Sequence, residues 1–330
     1  PSTSRRQRQM CIRDSFYKFS YIKPERNVFG HFFTYRNFTF TMDDTKPFWH
    51  LFRHNRNDEK PSEIEIEAKL KEQIQALVRN GIFFDFEKRK AAPVQSKFGG
   101  KPALPKKFEW PHYTDEYGEH IVLPFFLQLS CEELSVYDTD NLLPHEGMFY
   151  LFYDLTNQPW RNSKGAKLLY TPTPISELVP TDFPDNLPEE HRLPEMALKF
   201  TAHTCAPDWE DYVGMTGDDN TAYTDWDIIE RKLGKWGYPH MESAGRILGY
   251  ASLIQNGIAE ACESRAQEEK QQTYSKKSAR EWILLLQLNC IEEEEVDIPF
   301  GDCGSLYFYI RQRDLERRDF SQIQFELQCY

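Results

Sequence analysis

A lysine and two glycines in the segment 96–111 are the first residues whose types and spacing could bind a ligand. Gly99 and Gly100 follow Lys97, and main-chain N–H groups of neighbouring glycines can cradle a phosphate group. The spacing is not that of a P-loop, which needs G-x-x-x-x-G-K-[ST] before a helix. Prolines follow the glycines and block a helix from starting. The segment therefore favours a rigid loop, with Trp110 anchored on the core.

A second candidate is the carboxylate of Asp302, in the segment Phe300-Gly-Asp-Cys-Gly304. Asp302 follows Gly301 and precedes an aromatic run that is typical of a strand, and loops at strand ends often carry function. An aspartate in this position can instead cap a turn by accepting a hydrogen bond from an N–H group two residues on. The cap is the favoured interpretation, and the functional carboxylate is the alternative.

Other motifs that would identify catalytic chemistry are missing from the sequence. It contains no H-E-x-x-H, C-x-x-C, G-x-S-x-G or G-x-G-x-x-G pattern. A Cys–His nucleophile could be assembled from Cys131, Cys205 or Cys303 with one of the histidines, but spacing selects no pair. His203 and Cys205 alone are too few for a metal site. We therefore predict no metal, no cofactor and no defined set of catalytic residues.

Two glutamines occupy matching places in a repeated unit. Phe-Leu-Gln-Leu-Ser-Cys, which contains Gln128, matches Leu-Leu-Gln-Leu-Asn-Cys, which contains Gln287, at an offset of 159 residues. Aromatic runs after Gly147 and Gly304 match at an offset of 157 residues. Two copies so far apart indicate an internal duplication rather than a short-period solenoid. Each amide is expected to bind a loop main chain, and the alternative is that both line a cleft between the halves.

Each copy, at 123–155 and 283–315, reads as strand, turn and strand. Alternation places Phe125, Leu127, Leu129 and Cys131 on one face of the first strand, with Phe126 and Gln128 on the other, and the second copy repeats this pattern. Before the first copy, spacing of apolar residues predicts a helix that starts after the cap Ser62 and ends at Asn80-Gly81, followed by a short strand at 82–86. The fold class is α+β, rich in mainly antiparallel sheet, with a few flanking helices.

Composition limits the classes of partner. The chain of 330 residues has 52 acidic and 40 basic side chains, a formal net charge of −12 that opposes nucleic-acid binding. No apolar run is long enough to span a membrane, and no secretory signal pattern is present, so we expect no membrane partner. Seven cysteines without paired spacing suggest reduced thiols and a cytoplasmic protein.

The segment 207–227 combines carboxylates and aromatic rings, among them Asp208, Trp209, Glu210, Asp211 and Trp226. Such a surface suits sugars, cations or a protein partner with a basic surface, and a solvated insertion is the alternative. Glu260–Ala279 is highly charged and is predicted to be an exposed helix and loop.

Several blocks in order resemble the YwqG-like family, a group of largely uncharacterised proteins. They are SKFGGKPALPKKFEWP, LPFFLQLS and LPHEGMFYLFYDL in the first half, then RILGYASLIQ, which ends at Gln255, WILLLQLN and FGDCGSLYFYI. The resemblance covers about residues 91–330. Ala251 and Phe300 depart from it, because the family usually has proline and tryptophan there. It implies a duplicated α+β fold and no established activity.

The domain organisation follows from these segments. Residues 1–15 are arginine-rich and resemble a non-native or disordered tail, and 16–60 form an aromatic extension that supplies one or two strands. Residues 61–330 form the duplicated domain, with halves at about 61–155 and 240–330 joined by a proline-rich and acidic crossover, 156–239.

From the acidic charge, the acidic and aromatic segment and the missing catalytic motifs, we predict that the protein is a non-enzymatic binding module. The alternative is a hydrolase-like enzyme with its site between the halves, near Lys97, Gly99, Gly100, Gln128, Gln287 and Asp302; its small-molecule ligand is not indicated.

Overall fold

Antiparallel strands dominate the computed structural model, which describes residues 63–161, 164–217, 223–269 and 276–330, and the main chain at 34–35 and 38–39. The chain divides into two units, 1–62 and 63–330. In the first, β1 (Thr34–Tyr35) pairs antiparallel with β2 (Phe38–Thr39). The predictions for the tail 1–15, for the rest of 16–60 and for the Ser62 cap lie outside the described residues.

In the second unit, strands occur from its beginning to its end, with helices between some of them. In chain order they are β3 (Arg79–Glu87), β4 (Lys97–Phe98), β5 (Ala103–Leu104), β6 (His112–Thr114), β7 (His120–Val122), β8 (Phe125–Ser130), β9 (Met148–Tyr153), β10 (Ala166–Thr171), β11 (Val179–Pro180), β12 (Met196–Cys205), β13 (Gly245–Leu248), β14 (Trp282–Asn289), β15 (Ile291–Glu293), β16 (Val296–Ile298), β17 (Ser305–Arg311) and β18 (Gln324–Gln328).

Ten of these strands form one sheet in the order β10-β9-β8-β4-β12-β3-β13-β14-β17-β18. Each neighbouring pair is antiparallel. The long pair β12 and β3, joined from Ala197↔Glu87 to Cys205↔Arg79, lies at the centre. Three shorter pairs, β11-β5, β15-β16 and β6-β7, lie outside this sheet.

Helices are short and few in the described residues. They are α1 (Glu63–Gln75), α2 (Cys131–Ser135), α3 (Trp209–Thr216), α4 (Tyr223–Leu233), α5 (Ile258–Glu269), α6 (Lys276–Ala279) and α7 (Gln312–Glu316). None of those helices combines the length and the apolar composition that crossing a bilayer requires. The prediction of a β-rich α+β fold with mainly antiparallel sheet and a few helices is confirmed.

Both faces of the sheet are covered. One face carries the largest apolar cluster, which includes Phe126, Leu127, Leu286 and Phe308. The other face carries two smaller clusters, one with Phe125 and Tyr150 and one with Leu284 and Tyr307. Burial on two sides accounts for the nearly continuous apolar runs of β8, β9, β14 and β17.

The predicted alternation in the repeated strands is wrong at two positions in each, Phe125 and Phe126 in the first copy and Leu284 and Leu285 in the second. Phe126 and Leu127 both join the large cluster, while Phe125 lies on the opposite face. A β-bulge between Phe125 and Leu127 causes this, because an extra residue on one strand exchanges the faces of the residues beyond it. The same irregularity lies between Leu284 and Leu286. Cys131 does not continue the strand and instead begins α2, where Ser130 is the N-cap.

Three segment predictions also change. Helix α1 ends at Gln75 rather than at Asn80-Gly81, because those residues belong to β3, which pairs with β12. The crossover 156–239 contributes β10 and β12 to the large sheet. The charged segment 260–279 is not an exposed helix, since α5 buries Ile258, Cys262, Glu263 and Ala266 against β14.

Candidate functional site

A cavity of about 240 Å³ opens beside α3, and its walls come from parts of the chain that are far apart in sequence. Trp209, Glu210 and Asp211 come from the first turn of α3, and Arg79 begins β3. The opposite walls are supplied by the loop after β13, the start of α5 and the end of α6, with Tyr250, Glu260, Arg280 and Trp282.

The first turn of α3 places carboxylates where they are hard to ionise. Asp208 is the N-cap, and its Oδ1 accepts a hydrogen bond of 2.9 Å from the main-chain N–H of Asp211. Burial, together with the neighbouring charges of Asp211 and Glu210, raises the pKa of Asp208 well above its usual range. Burial also raises the pKa of Asp211, to about 7, against the opposing effect of the Arg79 guanidinium. This is a carboxyl group that titrates near neutrality.

The Oδ2 atom of Asp211 is buried and accepts no hydrogen bond from any described residue. A buried carboxylate oxygen without a donor costs free energy, because water no longer solvates it. A ligand that carries an N–H or O–H group would remove that cost. Among the described residues that line this cavity, Asp211 therefore offers a buried oxygen atom, Oδ2, that lacks a hydrogen-bond donor.

Tyr250 lines the same cavity as the first turn of α3. Its hydroxyl donates to the main-chain oxygen of Leu77, and burial raises its pKa. The Arg79 guanidinium lies 4.9 Å from the centre of the Tyr250 ring, within the range of a cation–π contact, and donates to the Met215 Sδ at 3.5 Å. Both contacts keep Arg79 close to the carboxylates of α3.

A second cavity, of about 150 Å³, shares Tyr250 with the first. Asp208, Glu230, His240 and Arg246 are among the residues that line it. Asp211 lines the first cavity and Asp208 lines the second, while Tyr250 lines both.

Lys97, Gly99, Gly100 and Gln128 lie together in the first half of the sheet, but their polar atoms bond to the protein itself. Lys97 is buried, and its Nζ contacts the Lys101 main-chain oxygen at 2.7 Å and Glu195 Oε2 at 2.9 Å. The N–H groups of Gly99 and Gly100 donate to the main-chain oxygens of Phe126 and Leu193. These N–H groups therefore donate hydrogen bonds within the protein and are not available to bind a phosphate group.

The two glutamines each fasten a loop to the sheet. Gln128 Oε1 accepts from the Ala103 N–H at 2.8 Å, and its Nε2 donates to the main-chain oxygens of Pro93 and Gln95. Gln287 Oε1 accepts from the Ser252 N–H, also at 2.8 Å. Their strands β8 and β14 are separated by β4, β12, β3 and β13. Each amide bonds to a different loop, and neither glutamine lines the two cavities that share Tyr250.

The remaining predicted site residues lie elsewhere. Trp110 donates from Nε1 to the Leu123 main-chain oxygen at 2.9 Å and packs edge-on against Phe152. Gln255 is exposed and donates to the Cys329 main-chain oxygen at 2.6 Å. Gly301 and Asp302 are exposed at the loop before β17, where the Gly301 N–H donates to Gln158 and the Asp302 main-chain oxygen accepts from Tyr330.

Several contacts of the first half have equivalents in the second. Lys97 Nζ donates to the Lys101 main-chain oxygen, and Arg246 Nη1 donates to that of Tyr250, with an offset of 149 residues for both partners. The hydroxyl of Tyr150 donates to the Ala103 main-chain oxygen, and that of Tyr307 donates to the Ser252 oxygen. The donors of this second pair of contacts differ by 157 residues and the acceptors by 149.

Sequence reasoning found part of this site. The acidic and aromatic composition of 207–227 indicated Asp208, Trp209, Glu210 and Asp211, although 218–222 lie outside the described residues. It missed Arg79 and Tyr250, which join them only through the pairing of β3 with β12 and β13. It also missed a cluster of possible metal ligands, Cys290, Glu292 and Cys303, whose ligand atoms all lie within 4.8 Å of one another. The Cys-x-Glu pattern, with a second cysteine beyond a short hairpin, was the available signal.

Fold and site together define a β-rich α+β protein with an aromatic-walled cavity that carries carboxylates beside its sheet. Residues 96–329 match the family model described as Domain of unknown function (DUF1963), and the chain belongs to this family. The match contains α3, Tyr250 and the metal-ligand cluster, while Arg79 precedes it. No curated protein matches the chain.

Proposed function

We propose that this chain is a binding protein that receives a positively charged side chain of a partner protein in the cavity beside α3. The observation that carries the proposal is the buried Asp211 Oδ2, which has no donor among the described residues. Trp209, Tyr250 and Trp282 supply aromatic walls that the aliphatic part of a basic side chain can contact. The net charge of −12 would draw a basic partner over longer distances.

The size of the cavity favours a side chain over a larger ligand. Its volume of about 240 Å³ is below the roughly 300–1,000 Å³ of sites that enclose drug-sized molecules. The ammonium or guanidinium group of a lysine or arginine would donate to Asp211, while its aliphatic part would contact the aromatic walls. The expected occupant is therefore one basic side chain, held by a partner with a basic surface.

Titration with N-acetyl-lysine amide and N-acetyl-arginine amide, followed by tryptophan fluorescence, tests this proposal. We expect saturable binding to the full chain and at least tenfold weaker binding to Asp211→Asn, which keeps the shape but removes the charge (a tenfold change is about 1.4 kcal/mol). Glu294→Gln, an exposed substitution in the β15–β16 turn, should leave affinity unchanged. Equal binding by all three proteins would contradict the proposal.

Binding should also depend on pH in a defined direction. The pKa of Asp211 is raised to about 7, so the carboxylate that attracts the cation forms as the pH rises through that value. We expect affinity to increase from pH 6 to pH 8 in the native chain and to stay constant in Asp211→Asn. A flat profile in the native chain would exclude Asp211 as the ligand-binding group.

An enzymatic alternative is favoured by one observation. A carboxyl group with a pKa near 7 that lines a cavity is suited to general acid–base catalysis. The alternative hydrolase-like site that we propose is therefore centred on Asp211 rather than between Gln128 and Gln287. Turnover of a small ester or amide panel that disappears in Asp211→Asn would favour the enzyme over the binding module.

We further propose that the chain arose by internal duplication and is a YwqG-like member of its family. The matched bulges at Phe126 and Leu285, the matched amides Gln128 and Gln287, and the equivalent Lys97 and Arg246 contacts support the duplication. Under this proposal Tyr250 occupies the position of Lys101, so only the second half carries the cavity. An experimental structure in which the two halves failed to superimpose over β4-β8-β9-β10 and β13-β14-β17-β18 would contradict it.

A further inference from the structure

Two thiols and one carboxylate converge at the end of β14. The Sγ atoms of Cys290 and Cys303 are 3.6 Å apart. Glu292 Oε1 is 3.4 Å from Cys303 Sγ and 4.0 Å from Cys290 Sγ. The three atoms thus form a small triangle whose sides are nearly equal.

The local fold determines this convergence. Cys290 directly follows β14, and Glu292 lies in β15, which turns back through its pairing with β16. The Cys290 N–H donates to the Gly304 main-chain oxygen at 2.9 Å, which holds the loop before β17 against the end of β14. Within that loop Cys303 has φ of 51°, an uncommon conformation for a residue with a side chain. The sheet and its turn bring the three groups together.

The triangle has the dimensions of one face of a tetrahedral metal site. With Zn–S of about 2.3 Å and Zn–O of about 2.0–2.2 Å, tetrahedral angles give an S–S edge of about 3.8 Å and S–O edges of about 3.5 Å. The observed separations differ from these edges by a few tenths of an ångström to about half an ångström. A disulfide would instead need the sulfur atoms about 2.05 Å apart.

We propose that Cys290, Cys303 and Glu292 bind a Zn²⁺ ion. Thiolates select thiophilic ions such as Zn²⁺ over Mg²⁺ and Ca²⁺, which prefer oxygen ligands throughout. Three protein ligands leave the fourth tetrahedral position for water or for an exogenous ligand. Glu292 is exposed and both cysteines are partly exposed, so solvent reaches the site.

Charge balance and proton release follow from the ligand set. Both thiols must lose their protons to bind, so each Zn²⁺ taken up releases two protons when both cysteines start as thiols. Two thiolates and one carboxylate carry three negative charges against two positive ones. The adjacent Glu293 and Glu295 make the surroundings attractive to cations.

Cobalt(II) substitution in the reduced full-length chain tests the site. Tetrahedral Co²⁺ bound to thiolates has visible d–d bands and a near-ultraviolet thiolate-to-metal band, so the ligand type is read directly. We expect one equivalent of Co²⁺ to produce both bands and Zn²⁺ to remove them by displacement. Cys290→Ser, Cys303→Ser and Glu292→Gln should each weaken binding at least about 100-fold, since loss of an outer-shell partner alone costs roughly 10–100-fold.

Matched variants separate the site from general effects. Cys329→Ser removes a cysteine that contacts the same loop but does not belong to the triangle, and Glu294→Gln removes a neighbouring carboxylate. Both should keep the cobalt bands. Circular dichroism of every variant shows whether it is folded, and affinity is compared only among folded variants.

Three outcomes would overturn the proposal. In the first, the folded and reduced native chain produces no thiolate-to-cobalt band. In the second, the band persists in both Cys290→Ser and Cys303→Ser, which would place the metal on other ligands. In the third, air oxidation joins Cys290 to Cys303 and the reduced pair still binds no metal, which would identify a redox pair instead.

Discussion

Glu263 is an ionised side chain in the interior of the second half. Its side chain is fully buried, and its Oε2 accepts hydrogen bonds of 2.7 Å from Arg311 and 2.8 Å from Trp282. The Arg311 guanidinium also lies 4.5 Å from the centre of the Trp282 ring. Burial by itself would raise the pKa of Glu263, but the hydrogen bonds from Arg311, Gln267 and Trp282 outweigh it, and the pKa is lowered.

Breaking this buried pair should be costly. We expect Arg311→Met to lower the free energy of unfolding by about 3–5 kcal/mol at pH 7, because the Glu263 carboxylate then stays buried without its cation. Urea unfolding measures this. Arg313→Met is the control, since Arg313 is half exposed and its contact with Glu281 at 3.3 Å is worth at most about 1 kcal/mol.

The same pair predicts a pH dependence. Because folding lowers the pKa of Glu263, its contribution is present above the unfolded pKa and is lost as the pH falls through the folded one. The difference in stability between the native chain and Arg311→Met should therefore narrow as the pH is lowered below about 4. A difference that stayed constant with pH would show that Arg311 acts by packing alone.

Gln128 allows a second prediction at the scale of one side chain. Gln128→Leu should lower the free energy of unfolding by roughly 2–4 kcal/mol, because the Ala103 N–H and the Pro93 and Gln95 oxygens lose their partner. Gln322→Leu should change it by less than about 0.5 kcal/mol, since Gln322 is exposed and, among the described residues, its side chain bonds to Ser321 alone. Similar losses in the two variants would refute the assigned role of Gln128.

At the scale of elements, the sequence predicted which segments are strands better than which way their side chains face. Apolar runs identified β8, β9, β14 and β17, because both faces of the sheet are buried. The faces were misassigned at Phe125, Phe126, Leu284 and Leu285, since a bulge leaves no signal where the residues around it are all apolar. The end of α1 was misplaced because pairing of Asn80 and Gly81 with β12 overrides local helix signals.

The acidic cavity shows the same limit for function. Composition identified the carboxylates of α3, which are adjacent in sequence. Arg79 and Tyr250 could not be connected with them, because that contact depends on the order of strands in the sheet, with β13 beside β3. Local patterns therefore indicate the chemical groups, and non-local pairing determines which of them meet.

Close packing of β13 against β3 and β14 predicts that a side chain is not tolerated at Gly245 in β13. An added Cβ at Gly245 would lie 2.3 Å from the Phe84 ring and 2.5 Å from the Gln287 main-chain oxygen. Because the main chain of β14 cannot move away without losing its ladder, Gly245→Ala should lower the free energy of unfolding by at least about 2 kcal/mol. At Gly234 an added Cβ meets no atom of the described residues within 4 Å, so Gly234→Ala should change the free energy of unfolding by less than about 1 kcal/mol in the same urea experiment. If Gly245→Ala were as stable as the native chain, the close approach of β3 to β13 would be wrong.

At the scale of the whole second unit, the two outer groups of strands are joined through β12 and β3. The group β4-β8-β9-β10 hydrogen-bonds to β12, and the group β13-β14-β17-β18 hydrogen-bonds to β3. Strand β3 lies early in the chain and β12 lies in the segment between the repeated units, and both are needed for the hydrogen-bonded ladder to run from one group to the other. A continuous ladder of this kind couples the stability of its strands.

We therefore expect residues 63–330 to lose their protection in a single cooperative step. In native-state hydrogen exchange by mass spectrometry, peptides from β9 and β17 should report the same free energy of opening in the native chain. Gln128 lies in the first group of strands, in β8, and bonds to the loops beside it. If the sheet opens as one, Gln128→Leu should nevertheless lower the free energy of opening of β9 and β17 by equal amounts. Loss of protection confined to β8, β9 and β10 would instead show that the two groups of strands unfold independently, with the central β12–β3 pair acting as a boundary.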